Sequence, residues 1–247
     1  MIQTENTIKA LKSLKQITTS EIIILSESKF EEKFQIRLSG NGTHYFFNQK
    51  HYICINEKMP HFAQECSFVH ECLHAILRIE KYPCCYLEGR RDFKDEEKKS
   101  LLTIAGKLTD ALHHPEIYKR MVKEYNLDIE KYFENLLKIK IERLEKIKTN
   151  SSDNLSLVYI SQQNFIDAYE YFFYPEKIKL QLFDKMKEIF PDNYSFLIGI
   201  KEKKRKFDTP ENAKLSIINL LKKIKKYGDK KNAGVLNNQV WDLMLVQ

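Results

Sequence analysis

The sequence predicts an α+β protein: a small N-terminal sheet packed on one helix, followed by a mainly helical C-terminal region. Three observations carry this. Within the first 57 residues, short runs of β-branched and aromatic side chains alternate with turn chemistry, as strands do. From His61 onward, apolar residues recur at intervals of three and four, as in helices that bury one face. The string Thr149-Asn150-Ser151-Ser152-Asp153-Asn154 is pure linker chemistry. It separates an expected first domain, residues 1–148, from an expected helical region, residues 155–247.

The elements follow in order. Ile8, Leu11, Leu14 and Ile17 have helical spacing. Glu21–Leu25 is a β-branched run and reads as a strand. Phe34, Ile36 and Leu38 alternate with polar residues, which also predicts a strand. Ser39-Gly40-Asn41-Gly42 is a turn, and Thr43–Phe47 and His51–Asn56 are two further strands joined tightly through Asn48-Gln49-Lys50. The sheet is expected to be antiparallel in large part. After Met59-Pro60, a helix runs from His61 to about Glu80, and Pro83 lies beyond its end. Cys84–Arg91 reads as a loop. A second helix is expected over Lys94–His113, a third starting at Pro115, where proline suits a first turn, and a fourth over Leu127–Lys148. Beyond the linker, helical patterns cover 163–174, 175–190 and 210–227. The aromatic cluster Tyr169 to Tyr174 follows a helical spacing and reads as packing.

Composition sets bounds. With 43% apolar and 30% charged residues, the 247-residue chain is that of an ordinary globular protein. The segment Met1–Thr19 lacks the apolar core of a signal peptide, and no run approaches the ~18 apolar residues of a membrane span. The five cysteines form no spaced framework and are expected to be reduced thiols in a cytoplasm. The net charge of +7 is concentrated in residues 201–231, with twelve Lys/Arg against four Asp/Glu. Arg205 is the one arginine there, and arginine is the residue of bidentate phosphate contacts. The run therefore reads as a lysine-rich solvated surface rather than a nucleic-acid site. The C-terminal helices are left as a possible surface for a protein partner.

All seven histidines and all five cysteines fall within residues 44–114. Among them is His70-Glu71-Cys72-Leu73-His74, an H-E-x-x-H string inside a helical pattern. Residues i and i+4 share a helix face, so both imidazoles can reach one metal ion. Zn²⁺ is the expected metal. It lowers the pKa of its water to about 7, and Glu71 is the general base that takes the proton. Cys72 points elsewhere and reads as a small core residue.

Residues 51–74 add to the motif. His51-Tyr52-Ile53-Cys54-Ile55-Asn56, then Pro60, then Ser67-Phe68-Val69-His70-Glu71-Cys72-Leu73-His74 resembles the corresponding stretch of the ImmA/IrrE-like zinc metallopeptidases, which are zincins. The resemblance implies a zincin-like domain, a peptidase acting on a peptide or protein substrate, and a setting beside a regulator. It also implies that Tyr52–Asn56 is an exposed edge strand that pairs with extended substrate.

A catalytic zinc needs a third protein ligand. His114 ranks first. It stands four residues after Asp110 on one helical face, and Asp110 could orient a histidine or exchange roles with His114. Asp110, His113, Glu96 and Glu97 are the alternatives, the two glutamates by analogy with gluzincins. Tyr118 and Tyr52 are candidates to stabilise an oxyanion. The competing reading is a non-catalytic interaction module on the same scaffold.

Overall fold

The computed structural model describes residues 3–35, 40–87, 95–149, 165–192, 194–195, 198, 207–230 and 244–246. The chain is α+β and folds as two compact units, one of Met1–Lys81 with Ile117–Asn135 and one of Tyr82–Glu116 with Leu136–Gln247. The expected linker at 149–154 lies, after Thr149, outside the described residues, as do residues 201–206 and 231 of the basic segment.

The first unit opens with α1 (Glu5–Ile17), whose N-terminus is closed by a reciprocal cap between Thr4 and Thr7. Strand β1 (Glu21–Leu25) leads into α2 (Glu27–Phe34), then β2 (Gly42–Phe47) and β3 (Lys50–Ile55). Phe34 thus ends a helix rather than opening a strand, and Ile36 and Leu38 lie outside the described residues. The helix wins because Phe30 and Phe34, one turn apart, bring their rings to 4.9 Å and pack on Tyr45. Asn48 and Gln49 both have positive φ, the backbone of a tight two-residue hairpin between β2 and β3.

The sheet order is β1-β3-β2, with β3 parallel to β1 and antiparallel to β2. This corrects two expectations. The sheet is mixed rather than largely antiparallel. Tyr52–Asn56 is not an edge: it belongs to the central strand, buried from His51 to Ile55 and hydrogen-bonded on both sides. The continuous apolar run Tyr52-Ile53-Cys54-Ile55 has the composition of a strand covered on both faces, which is what a central strand requires. Among the described residues, β1 and β2 are the edges.

Helix α3 (His61–Ile79) packs on the sheet and on α1, and fourteen of its residues are buried, from Ala63 to Leu77. Glu65 on α3 accepts hydrogen bonds from Thr4 and Asn6 at the start of α1. At the other end of α3, Glu80 takes a two-pronged contact from Arg120, at 3.0 and 2.7 Å. The core of this unit includes Leu14, Phe30, Ile53, Phe68, Leu73, Leu77, Ile117 and Phe133, all essentially inaccessible.

Helix α4 (Asp95–Lys123) is continuous and carries Pro115 in its interior, where a new helix was expected to begin. Proline removes one N–H from the ladder. Buried neighbours on both sides of it, Leu108, Ala111, Leu112, Ile117 and Met121, hold the helix through that position. Its residues up to Glu116 belong to the second unit and those from Ile117 to the first. Helix α5 (Ile129–Thr149) follows.

The second unit also contains strands β4 (Cys85–Leu87) and β5 (Met244–Val246), paired antiparallel, where the sequence suggested a loop at Cys85–Leu87. Residues 165–170 are helical and continue into a 3-10 turn, Tyr171–Phe173. Helices α6 (Glu176–Ile189) and α7 (Pro210–Lys230) complete it. The aromatic cluster is packing: Tyr169 meets Phe172, Phe173 and Phe207. No helix among the described residues is long and apolar enough to cross a membrane.

Candidate metal centre

The H-E-x-x-H string lies in the middle of α3, and its residues are buried: His70, Glu71, Cys72, Leu73 and His74 are all below a tenth exposed. One helical turn separates the histidines, and their Nε2 atoms stand 3.1 Å apart. Two imidazoles on one tetrahedral zinc, at about 2.0–2.1 Å each, would hold their nitrogens roughly 3.3 Å apart. The pair is therefore close to the spacing a shared ion demands. The ring planes are 68° apart with centres at 4.8 Å.

A second histidine pair shows what a plain hydrogen bond looks like. His44 Nε2 and His51 Nδ1, on β2 and β3, are closer, at 2.9 Å, yet their ring centres are farther apart, at 5.2 Å, and their planes differ by only 23°. Those nitrogens lie almost on the line of centres, facing end-on with a proton between them. At His70 and His74 the nitrogens are farther apart and the centres closer. The nitrogens of this pair therefore lie off the line of centres, an arrangement compatible with both facing one ion.

His70, His74 and His114 each present a ligand nitrogen, and the three lie within 4.8 Å of one another. His114 comes from α4. One turn further along that helix, Tyr118 sets its ring 5.9 Å from that of His70 and stacks edge-on against Phe133. Tyr52 packs on Phe34 and lies beneath the Lys33 ammonium.

The other candidates sort by geometry. His113, adjacent to His114 and so rotated by about 100° on the helix, puts Nε2 3.1 Å from the Pro83 carbonyl and 4.0 Å from Cys84 Sγ. Glu96 and Glu97 lie on the same helix as His114, 18 and 17 residues earlier, roughly 26 Å along its axis. One helix cannot bring them and His114 to the same ion, and their side chains are outside the described residues. Asp110 is half-buried one turn before His114. Burial pushes its carboxyl up to about 6, with His114 pulling down and Glu170 and Asp167 adding to the rise.

Three contributors to the site carry no sequence signal. Glu170 places Oε2 3.3 Å from His114 Nδ1. Burial opposes an imidazolium at His114, but the charge of Glu170, helped by Asp110, holds its pKa above the usual value. Gly42, at the start of β2, runs so close to Glu71 that a Cβ there would lie 3.0 Å from its Cγ and 3.1 Å from Oε1, and 3.1 Å from the Cys54 carbonyl. Tyr132 is buried beside Ser67 and Asn41, between the turn before β2 and α3, and burial pushes its hydroxyl up to about 12.

The cysteines are not ligands of this group. All five are buried free thiols. Burial pushes Cys54 up to about 11, Cys66 and Cys85 up to about 12, and Cys72 higher still.

The His44–His51 pair has a consequence for stability. Burial, and then Arg78, lower the pKa of His51 from its ordinary 6.5. The unfolded chain therefore binds a proton there that the folded chain refuses. The stabilisation is complete above pH 6.5 and is lost as pH falls through that value towards the folded pKa. Urea denaturation should find wild type losing its advantage over His51→Gln between pH 7.5 and 5.5. An advantage that is unchanged or grows with acidity would contradict this.

No family model, curated protein or solved structure matches this chain.

Proposed function

We propose that this protein is a zinc-dependent peptidase of zincin type, with His70, His74 and His114 as metal ligands and Glu71 as general base. The observation that carries the reading is the 3.1 Å approach of the His70 and His74 Nε2 atoms, close to the spacing of two ligands on one ion, with Glu71 buried on the same helix. His70, His74 and His114 would hold the ion, which when bound would supply Lewis-acid polarisation of a carbonyl and a more acidic water.

The chain's own residues do the rest. Glu71 accepts a proton from the attacking water and returns it to the leaving amine. Gly42 keeps the strand beside that carboxylate free of a side chain. As an edge strand among the described residues, β2 presents a side to which an extended peptide would bind by strand addition. The substrate-pairing role implied for Tyr52–Asn56 passes to β2, because β3 has a neighbour on each side. Tyr118, beside His70, is the tyrosine candidate for the oxyanion.

The test is metal content by elemental analysis, on wild type, His74→Ala and His114→Ala. About one zinc per chain in wild type, lost from both variants, is expected. A wild-type protein that takes up no zinc on reconstitution overturns the proposal.

Gly42→Ala supplies a second check. The new methyl would press on Glu71 and on a backbone carbonyl, and only the carboxylate can yield easily. A misplacement of about 1 Å at a reacting group can cost roughly 10²-fold in rate. Peptide hydrolysis should fall by about that factor while zinc content stays at wild-type level. Unchanged hydrolysis would show that Glu71 does not act from this position.

A further inference from the structure

The carboxylate beside His114 comes from a part of the chain that no motif marks. Glu170 lies at the end of the helical residues 165–170 and is 7% exposed. Its Oε2 stands 3.3 Å from His114 Nδ1 and also accepts a hydrogen bond from the Tyr174 hydroxyl at 3.2 Å. Lys140 bears on the same carboxylate electrostatically, with its ammonium 5.8 and 5.3 Å from the Tyr171 and Tyr174 ring centres. A buried carboxylate is costly unless it is paired. Here a cation, a hydroxyl and a neighbouring imidazole share that burden.

We infer that Glu170 is a positioning residue for the metal centre, fixing His114 with its Nδ1 proton turned to the carboxylate and its Nε2 left for the ion. This rests on the zinc reading above. An imidazole has two nitrogens, and the one that ligates is set by the bond the other makes. Ligating histidines regularly give their second N–H to a carboxylate, which fixes the ring and raises its basicity. Asp110 is the other acid near His114. Glu170 is preferred because its Oε2 contacts Nδ1 and is itself anchored by Tyr174, whereas Asp110 sits on the same helix as the residue it would orient. Tyr174 then acts at one further remove, holding Glu170.

The experiment measures the zinc dissociation constant by competition with a chromophoric chelator, for wild type, Glu170→Gln, Tyr174→Phe and His114→Ala. Glu170→Gln keeps size and shape but loses the charge, and should weaken zinc by about 10–100-fold. Tyr174→Phe should weaken it by a smaller factor. The double variant Glu170→Gln/His114→Ala should bind no more weakly than His114→Ala alone, because Glu170 acts only through that ring. A merely structural glutamate would leave the dissociation constant unmoved or add its loss to that of His114→Ala, and either result overturns the inference. Wild type binding zinc while Glu170→Gln binds it equally well sinks this inference alone. Wild type binding none sinks the zinc reading and this inference together.

Discussion

Glu71→Gln should retain about one zinc per chain and lose peptide hydrolysis by roughly 10²–10⁴-fold, the usual contribution of a positioned general base. The substitution is close to isosteric. The amide fits where the carboxylate lies against Gly42, which has no Cβ to crowd it. What disappears is the ability to accept a proton. Glu71 is next to His70 in sequence but is not among the three nitrogens that converge, so metal binding should be nearly indifferent to the change. The measurement pairs elemental zinc analysis with cleavage of an unstructured protein substrate. Loss of hydrolysis with zinc retained assigns the base. Hydrolysis at the wild-type rate would refute the role given to Glu71. If neither wild type nor variant cleaves while both bind zinc, the interaction-module reading becomes the better account.

The parts of this site that were legible in the sequence are those that repeat at fixed spacing. His70 and His74 share a helix face by arithmetic, and Asp110 and His114 do so for the same reason. Bringing His114 towards His70 is a tertiary matter, and it was suggested by chemistry, since histidine is absent outside residues 44–114. Glu170 lies 56 positions beyond His114, past the linker, in a segment that reads only as aromatic packing. No spacing rule connects the two. Gly42 was visible only as turn chemistry, because the demand for a missing Cβ arises from Glu71 on another element. The strand at 51–55 was legible, but its place in the sheet was not. Alternation or its absence reports burial, whereas neighbour order depends on the path of the whole chain. Strands β4 and β5, three residues each, are too short to have a period. The break expected at Pro115 failed because tertiary burial on both sides outweighed a local preference.

Saturating zinc should stabilise the protein strongly, and chelation should remove that stabilisation. A ligand that binds only the folded state adds about 2.7 kcal/mol at a hundredfold excess over its dissociation constant and about 4.1 kcal/mol at a thousandfold. For a chain of this length each kcal/mol moves the midpoint by roughly 2–4 °C, so a thousandfold excess should raise it by about 8–16 °C. The unfolded chain has no reason to hold His70, His74 and His114 together, since 44 positions separate the first from the last. The folded chain already holds them within 4.8 Å, in a place where the α3 pair is buried and crowded nitrogen to nitrogen. Thermal unfolding followed by circular dichroism, with zinc and then with excess chelator, measures the difference. His74→Ala should lose the zinc-dependent increment, because two nitrogens and an open position hold zinc far less tightly than three. Glu71→Gln should keep it in full. An increment that survives in His74→Ala would place the ion elsewhere, and one lost from Glu71→Gln would make that carboxylate a ligand and leave the site without its base.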